Sequence, residues 1–326
     1  MTHIKLDLTD RKILHALDLN ARQPISIIAK NLRISRDVVG YRMKKFLDEN
    51  LLLSYYTIID ISKLGYAAHK NFIRFQNMTE EKEQEFIRFV KESPYVVYSA
   101  SYDGRFDCVV SMWARNVEEL ANHLEDMESR FGEYIAEKQM ATIVMGEYCI
   151  RDYLVDARTN AKRKSFGSVP RLIKMDSINK NILLELGKDA RASSVEIAQK
   201  LKLSADAVYL RIRKLQDSGI IQGYNIIPNE KNYPFIHYKI LISLHNLNQE
   251  KERKLHEYCR SQQNIWYFCT ALGSWNFEID LDTESQEQFR DILRGIKLNF
   301  SDIIKDYSVM TAYRTNKYNF YPGLSE

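Results

Sequence analysis

Two short stretches concentrate cations at helical spacing: Arg42-Met43-Lys44-Lys45-Phe46 and Arg211-Ile212-Arg213-Lys214-Leu215. Cations fixed along one helix meet the regularly spaced phosphates of duplex DNA, while side chains between them reach base edges. With Val39, Met43 and Phe46 as a buried stripe, Asp37, Val38, Tyr41 and Lys45 point outward, flanked by Arg42 and Lys44. In the second stretch Asp206, Ala207, Leu210 and Lys214 point outward, flanked by Arg211 and Arg213. Val38, Ala207 and Leu210 suit thymine methyls, and Tyr41 suits a base edge or a phosphate. Ser35, Arg36 and Ser204, at the leading ends of these helices, complete the candidate DNA-binding surface. Asp37 and Asp206 each have two roles open, accepting from a cytosine amine or complementing the helix dipole in the first turn, and the dipole role is favoured. On this reading Arg42→Ala and Arg211→Ala both weaken the salt dependence of binding. The second stretch offers fewer outward hydrogen-bonding groups, so it is expected to bind more by phosphate contact and to read less sequence.

Other residue types that carry chemistry do not assemble. The cysteines, at 108, 149, 259 and 269, form no CxxC, and reduced thiols are expected. His256, Cys259 and Cys269 lack zinc spacing. Asp280, Asp282 and Glu284 alternate like half a calcium loop, but no loop glycine follows, so they read as a strand end. No GxSxG, HExxH or phosphate loop occurs. Tyr95, Tyr98, Tyr102, Trp266, Tyr267 and Phe268 read as sheet packing rather than base stacking. No metal or cofactor is expected, and no catalytic residue.

These candidates belong to a chain written twice. A shift of 169 residues places Ala21-Arg22 on Ala190-Arg191, Ser35 on Ser204, Arg42 on Arg211, Lys45 on Lys214, Tyr98 on Tyr267 and Gly104 on Gly273. The chain of 326 residues is 45% hydrophobic and 28% charged, an ordinary globular composition that excludes a disordered or collagen-like protein. Its net charge of +4 is unevenly placed: +3 over residues 1–60, −4 over 61–151, +3 over 152–176, +3 over 177–233 and −1 over 234–326. No apolar run approaches a membrane span and no signal-peptide core is present, so a cytoplasmic protein without membrane contact is expected.

Each copy opens with helical periodicity. In copy one Thr9 suits an N-cap before Ile13, Leu14 and Leu17, Pro24 the first turn of a second helix, and Ser35 the cap of a third. In copy two Ser193 and Glu196 form a capping box. A β-rich run follows each third helix, at 51–60 and 220–229, and is read as a hairpin, giving a winged helix-turn-helix. Strands and helices then alternate over 69–75, 80–92, 95–101, 106–114, 116–130 and 135–149, and again over 236–244, 248–262, 265–270, 275–282, 284–297 and 303–313. That order, βαββαβ, predicts a ferredoxin-like sandwich. The fold class is α+β: winged helix-turn-helix domains at 1–64 and 177–233, βαββαβ domains at 65–151 and 234–326. The stretch 152–176, with Arg158, Lys162, Arg163, Lys164, Gly167, Ser168 and Pro170, reads as a basic linker.

This order, with Ile28-Ala29-Lys30-Asn31-Leu32-Arg33-Ile34-Ser35, Gly104-Arg105-Phe106-Asp107 and their counterparts Ile197 to Ser204 and Gly273-Ser274-Trp275-Asn276, resembles the Lrp/AsnC family of leucine-responsive and asparagine-synthesis regulators. The resemblance covers nearly the whole chain, twice. It implies double-stranded DNA as partner, and RAM (ACT-like) βαββαβ domains that pair sheet to sheet and bind small effectors, often amino acids. By that resemblance Gly104, Asp107, Gly273 and Asn276 are candidate effector-binding residues, although Asn276 lacks the charge to hold an ammonium group. The copies are expected to pair within one chain as an intramolecular pseudo-dimer, with homo-oligomers of the whole chain a further possibility. The reading is therefore a sequence-specific transcriptional regulator, not an enzyme. Two alternatives share the pattern: an architectural DNA-binding protein, and an enzyme resembling sirohaem decarboxylases. The second is disfavoured because 98–107 and 267–276 contain no histidine.

Overall fold

The computed structural model describes residues 4–159, 164–167 and 172–321. Copy one starts with α1 (Leu8–Leu19), α2 (Ile25–Leu32) and α3 (Arg36–Asp48). Asp7 rather than Thr9 caps α1: Asp7 accepts from Asp10 N at 2.8 Å while Asp10 accepts from Asp7 N at 3.1 Å, so two free N–H groups are satisfied reciprocally. α2 stops at Arg33, which enters the left-handed region (φ 56°) and turns the chain into α3. There follow β1 (Leu52–Ile59), β2 (Ala67–Phe75), α4 (Glu80–Glu92), β3 (Val96–Gly104), β4 (Cys108–Ala114), α5 (Val117–Phe131) and β5 (Ile135–Tyr148).

After a short strand β6 (Lys164–Gly167), the order repeats: α6 (Ser177–Lys188), α7 (Ser194–Leu201), α8 (Ala205–Asp217), β7 (Ile221–Pro228), β8 (Ile236–Leu244), α9 (Gln249–Ser261), β9 (Ile265–Gly273), β10 (Phe277–Thr283), α10 (Gln286–Asn299) and β11 (Ile304–Tyr318). The Ser193–Glu196 capping box is formed, and Lys202 (φ 55°) turns α7 into α8 as Arg33 does in copy one.

The two βαββαβ units form sheets of order β5-β2-β4-β3 and β11-β8-β10-β9. Two antiparallel seams join them, β3 to β11 and β5 to β9, and close eight strands into a barrel. The seams are equivalent: Gly104 lies opposite Met310, and Gly273 opposite Ala141. Strand alternation then sorts side chains between two faces. Outward residues such as Ile73 and Val110 pack under α4 and α5 with Phe86, Val90 and Phe131. Ile240 and Phe277 pack under α9 and α10 with Leu255 and Ile296. Inward residues fill the barrel, and Phe72, Phe106, Leu241, Trp275 and Met310 form its apolar core.

The β-run after each third helix differs from expectation. It is not a hairpin within one copy. Each copy supplies one strand, and β1 pairs antiparallel with β7, Tyr56 lying opposite Asn225, its own counterpart under the 169-residue shift. A lone two-stranded hairpin is marginal in water, whereas this shared ribbon buries Ile58, Ile59, Ile226 and Ile227 in the core beneath both helical units. Arginines brace the same junction. Arg22 donates to Ala190 O at 2.7 Å and Ala192 O at 2.6 Å, while Arg191 donates to Ala21 O and to Gln23 O.

The segment 152–176 is also more than a spacer. Asp152–Leu154 form a buried 3-10 turn, and β6 adds to the edge of β5; Lys162, Arg163, Ser168 and Pro170 lie outside the described residues. Lys164 donates to Asp18 O at 2.7 Å and Tyr224 O at 3.3 Å, linking the β-layer to both helical units. Burial pulls its ammonium down to about 8 from the ordinary 10.5. The unfolded chain therefore binds more protons between these values, so through this group the unfolding free energy should rise as pH goes from 8 towards 10. Denaturant titrations across that range check this: the rise should be smaller in Lys164→Met, the remainder coming from Lys317, whose ammonium is also pulled down to about 8 by burial. No helix among the described residues is long and apolar enough to cross a membrane.

Candidate nucleic-acid interface

Helices α3 and α8 hold the cationic stretches. Their buried stripes are Val39, Met43 and Phe46, and Val208, Ile212 and Leu215. On α3, Arg36, Asp37, Val38, Tyr41 and Lys44 are exposed and Lys45 is half-buried, loosely paired with Glu49 at 3.8 Å. On α8, Asp206, Leu210, Arg213 and Lys214 are exposed and Ala207 is half-buried. Large apolar surface stands free on both, 67% of Tyr41 and 57% of Leu210, where a helix meeting only water would carry polar side chains. Tyr209, 52% exposed, extends this face; sequence reasoning passed over it because it follows directly on the buried Val208 and replaces Gly40 of copy one.

Ser35 and Ser204 are the N-caps, accepting from Val38 N and Ala207 N at 3.2 Å each. Asp37 and Asp206 sit in the first turns, where the dipole favours them.

Arg42 and Arg211, expected to face phosphates, are instead turned inward on their own domains. Arg42 Nη1 lies 2.7 Å from both Asp7 and Asp10, and Arg211 Nη1 lies 2.6 Å from Asp176 and 3.0 Å from Asn179. Asp7 and Asp176 cap α1 and α6 and correspond under the repeat shift, so each arginine ties a recognition helix to the start of its first helix. The carboxyls of both acids are held below the usual range, first by backbone N–H groups and then by the arginine. Asp10 is buried, whereas Asp176 is exposed. Arg42→Ala should therefore cost about 1–3 kcal/mol, because a buried carboxylate is left without its counter-charge. Arg211→Ala should cost about 0–1 kcal/mol. In both variants the salt slope of DNA binding should stay unchanged; a denaturant series and a salt titration measure the two effects.

The four candidate effector residues have structural work. Phe75 N donates to Asp107 Oδ2 at 2.7 Å, and Leu244 N to Asn276 Oδ1 at 2.6 Å. Both side chains thus tie a turn to the end of the neighbouring strand, and an asparagine oxygen accepts that bond as well as a carboxylate does. A Cβ on Gly104 would stand 2.8 Å from Val309 O, and one on Gly273 would stand 2.2 Å from Met140 O. These glycines let the strands of the two seams approach.

Polar residues whose burial sequence reasoning missed lie inside the barrel and where it meets α1. Lys70 Nζ is 2.6 Å from Glu278 Oε2, and Lys239 Nζ is 2.6 Å from Asp280 Oδ2, with His237 Nε2 2.8 Å from Asp280 Oδ1. Arg151 pairs with Asp18 at 2.6 Å and Asp282 at 3.4 Å. Burial alone would raise the Asp280 carboxyl, but Lys239 and His237 hold it well below the ordinary value. Burial likewise opposes the Lys70 charge, and Cys269, Glu278 and Asp280 outweigh it. Asp280 and Asp282 are thus strand residues, as expected, but buried ones. Among the described residues no acid, histidine and cysteine cluster suits a metal ion.

Two parts of the chain match known domains. Residues 6–47 match the AsnC-type helix-turn-helix domain, and residues 175–222 a winged helix-turn-helix DNA-binding domain. LrpC, an HTH-type transcriptional regulator of Bacillus subtilis (strain 168), is 30% identical over 121 residues, 37% of this chain and 83% of LrpC. The chain belongs to the Lrp/AsnC family. The leucine-responsive regulatory protein of Escherichia coli (strain K12) is 44% identical over 55 residues, 17% of this Lrp/AsnC chain and 34% of that protein. The solved structure of the siroheme decarboxylase NirDL covers 98% of this chain and 95% of its own, with a TM-score of 0.58 at 13% identity, a likeness of fold. Homologues of this Lrp/AsnC protein are HTH-type transcriptional regulators, and α3 and α8 belong to the matched helix-turn-helix domains.

Proposed function

We propose that this chain is a sequence-specific, DNA-binding transcriptional regulator, formed by tandem duplication, whose two unlike recognition helices bind one DNA site together. The observation that carries the reading is the exposure of α3 and α8 on two units that the β1–β7 ribbon and the Arg22 and Arg191 braces hold as a pair. Lys44, Lys45, Arg213 and Lys214 meet phosphates. Val38, Tyr41, Tyr209 and Leu210 meet the groove floor. Because the pairing lies within one chain, the two half-sites differ in sequence, whereas identical subunits would read a palindrome.

Selection of bound sites from random DNA tests this, with salt titrations of variants alongside. Lys44→Ala/Lys45→Ala and Arg213→Ala/Lys214→Ala should each lower the slope of log K against log salt by about 2, roughly 0.9 for each phosphate no longer neutralised. Tyr41→Ala and Leu210→Ala should instead change base preference beneath one half only. A palindromic consensus, or specific binding no tighter than non-specific binding, would overturn the reading; the latter outcome describes an architectural protein.

The likeness to NirDL over nearly the whole chain favours one second reading, a tetrapyrrole enzyme. Against it, the cavity beside Lys70 and Lys239 measures only about 50 Å³ and is crowded by Trp113, Trp266, Phe166 and Phe320. Sites for drug-sized ligands measure roughly 300–1,000 Å³. A Soret band retained after incubation with sirohaem and gel filtration would revive that reading.

A further inference from the structure

We propose that Arg22 and Arg191 form a second DNA contact, a pair of phosphate-binding forks at the middle of the site, between its two halves. The inference rests on the regulator reading above and extends it to residues outside the recognition helices. The two arginines are counterparts under the 169-residue shift. Each stands two residues before the N-cap of the first helix of its helix-turn-helix, Pro24 for α2 and Ser193 for α7. In helix-turn-helix docking that first helix crosses the sugar-phosphate backbone. Each arginine reaches into the other copy, Arg22 to Ala190 O and Ala192 O, Arg191 to Ala21 O and Gln23 O. Ala192 and Gln23 directly precede the two N-caps. Both guanidiniums therefore gather where the copies meet, at the leading ends of α2 and α7, between the head that carries α3 and the head that carries α8.

Their hydrogen bonds leave one edge open. A guanidinium has five N–H groups. Both arginines direct only Nη1 at the carbonyls of the other copy, so Nε and Nη2 have no protein acceptor among the described residues. The Nε–Nη2 edge is the fork that holds two oxygens of one anion side by side. Arg260 uses that edge on Glu147, at 2.7 Å and 2.8 Å. Arg22 and Arg191 form no such ion pair. The acids whose fields reach them, Asp189 and Glu196, are engaged by the backbone N–H groups of Arg191 and Ser193 at 2.8 Å and 2.7 Å. Aromatic rings steady both forks: Arg22 lies over Tyr224 at 5.7 Å and Arg191 over Tyr55 at 5.6 Å. Held by carbonyls and a ring, each fork loses little freedom on meeting a ligand.

Charge decides what that ligand is. Bracing carbonyls needs only neutral N–H donors, which a glutamine amide supplies. Two cations at one junction without a paired acid work against each other: burial, and the Arg22 charge with it, hold the Arg191 guanidinium below its ordinary value. An anion on each fork relieves both. Two forks, one from each copy, suit two phosphates held at a fixed spacing, as a duplex presents them.

The test is ethylation interference on a selected DNA site, which removes the charge of one phosphate at a time and needs no variant. Interference is expected beneath each half and at one central phosphate on each strand. Arg22→Gln and Arg191→Gln keep an N–H donor for the brace. Each should erase one central position, leave those beneath the halves, and lower the slope of log K against log salt by about 0.9; the double variant should lower it by about 2. Selected base preferences stay the same, and circular dichroism checks the fold. An indifferent centre, an unchanged slope in the double variant, or a lower slope with central interference intact would each overturn the pair and leave the regulator standing. Wild-type protein that ignores DNA would remove the regulator and the pair with it. Inorganic phosphate saturating the wild type below about 1 mM, but not the double variant, would reassign the forks to a free anion.

Discussion

Above pH 10 the protein should unfold in a single steep step, and the tyrosinate absorbance of its buried tyrosines should appear in that step rather than before it. The hydroxyls of Tyr56, Tyr98, Tyr102, Tyr148, Tyr153, Tyr267 and Tyr318 are all held well above the ordinary value of 10, in each case chiefly by burial. In the unfolded chain these groups ionise near 10. Unfolding therefore releases protons above that pH, and the stability present below pH 10 is lost as pH rises further. Each such tyrosine contributes roughly 1.4 kcal/mol per pH unit. Seven together reach on the order of 10 kcal/mol by pH 11, as much as a whole domain usually has. A spectrophotometric titration followed in parallel by circular dichroism checks this. Ionisation beyond that of the exposed tyrosines, with the secondary structure intact, would mean that water reaches these rings.

Arg151→Met should destabilise the protein by about 3–5 kcal/mol, more than any change on the DNA-facing surface. The guanidinium is buried over the Trp266 ring at 4.3 Å, and its partners Asp18 and Asp282 come from α1 and β10. Removing it leaves two carboxylates in the interior without a counter-charge. The triple replacement Arg151→Met, Asp18→Asn, Asp282→Asn should recover a large part of the loss, because the uncompensated charges go with it. Denaturant unfolding of both variants decides the matter; a triple variant weaker than the single one would show that hydrogen bonds, not charge, dominate there.

Much of this architecture is legible in the sequence, and the parts that are not share a cause. Helix caps such as Ser35 and Ser193, the buried stripe of α3 and the βαββαβ order follow from local patterning. Partners distant in sequence do not. The run 51–60 shows that a strand forms but not that its mate lies 169 residues away. Lys239, Glu278 and Asp280 alternate with apolar residues as on any strand with one wet face. Here that face lines a closed barrel, and nothing local distinguishes the two settings. Arg42 departs from expectation for a similar reason: a helical wheel gives its direction, but not the carboxylates of Asp7 and Asp10 waiting there.

The seams that close the barrel bear on behaviour at low copy number. Regulators assembled from separate subunits fall apart on dilution, and their occupancy of a site then drops with the square of concentration. Here the halves are joined by backbone, and the chain itself keeps them together at a high effective concentration. On the proposal that one chain serves one site, occupancy would follow the first power of the number of molecules. The two reading heads are also free to drift apart in sequence, since neither can be exchanged for a mismatched mate.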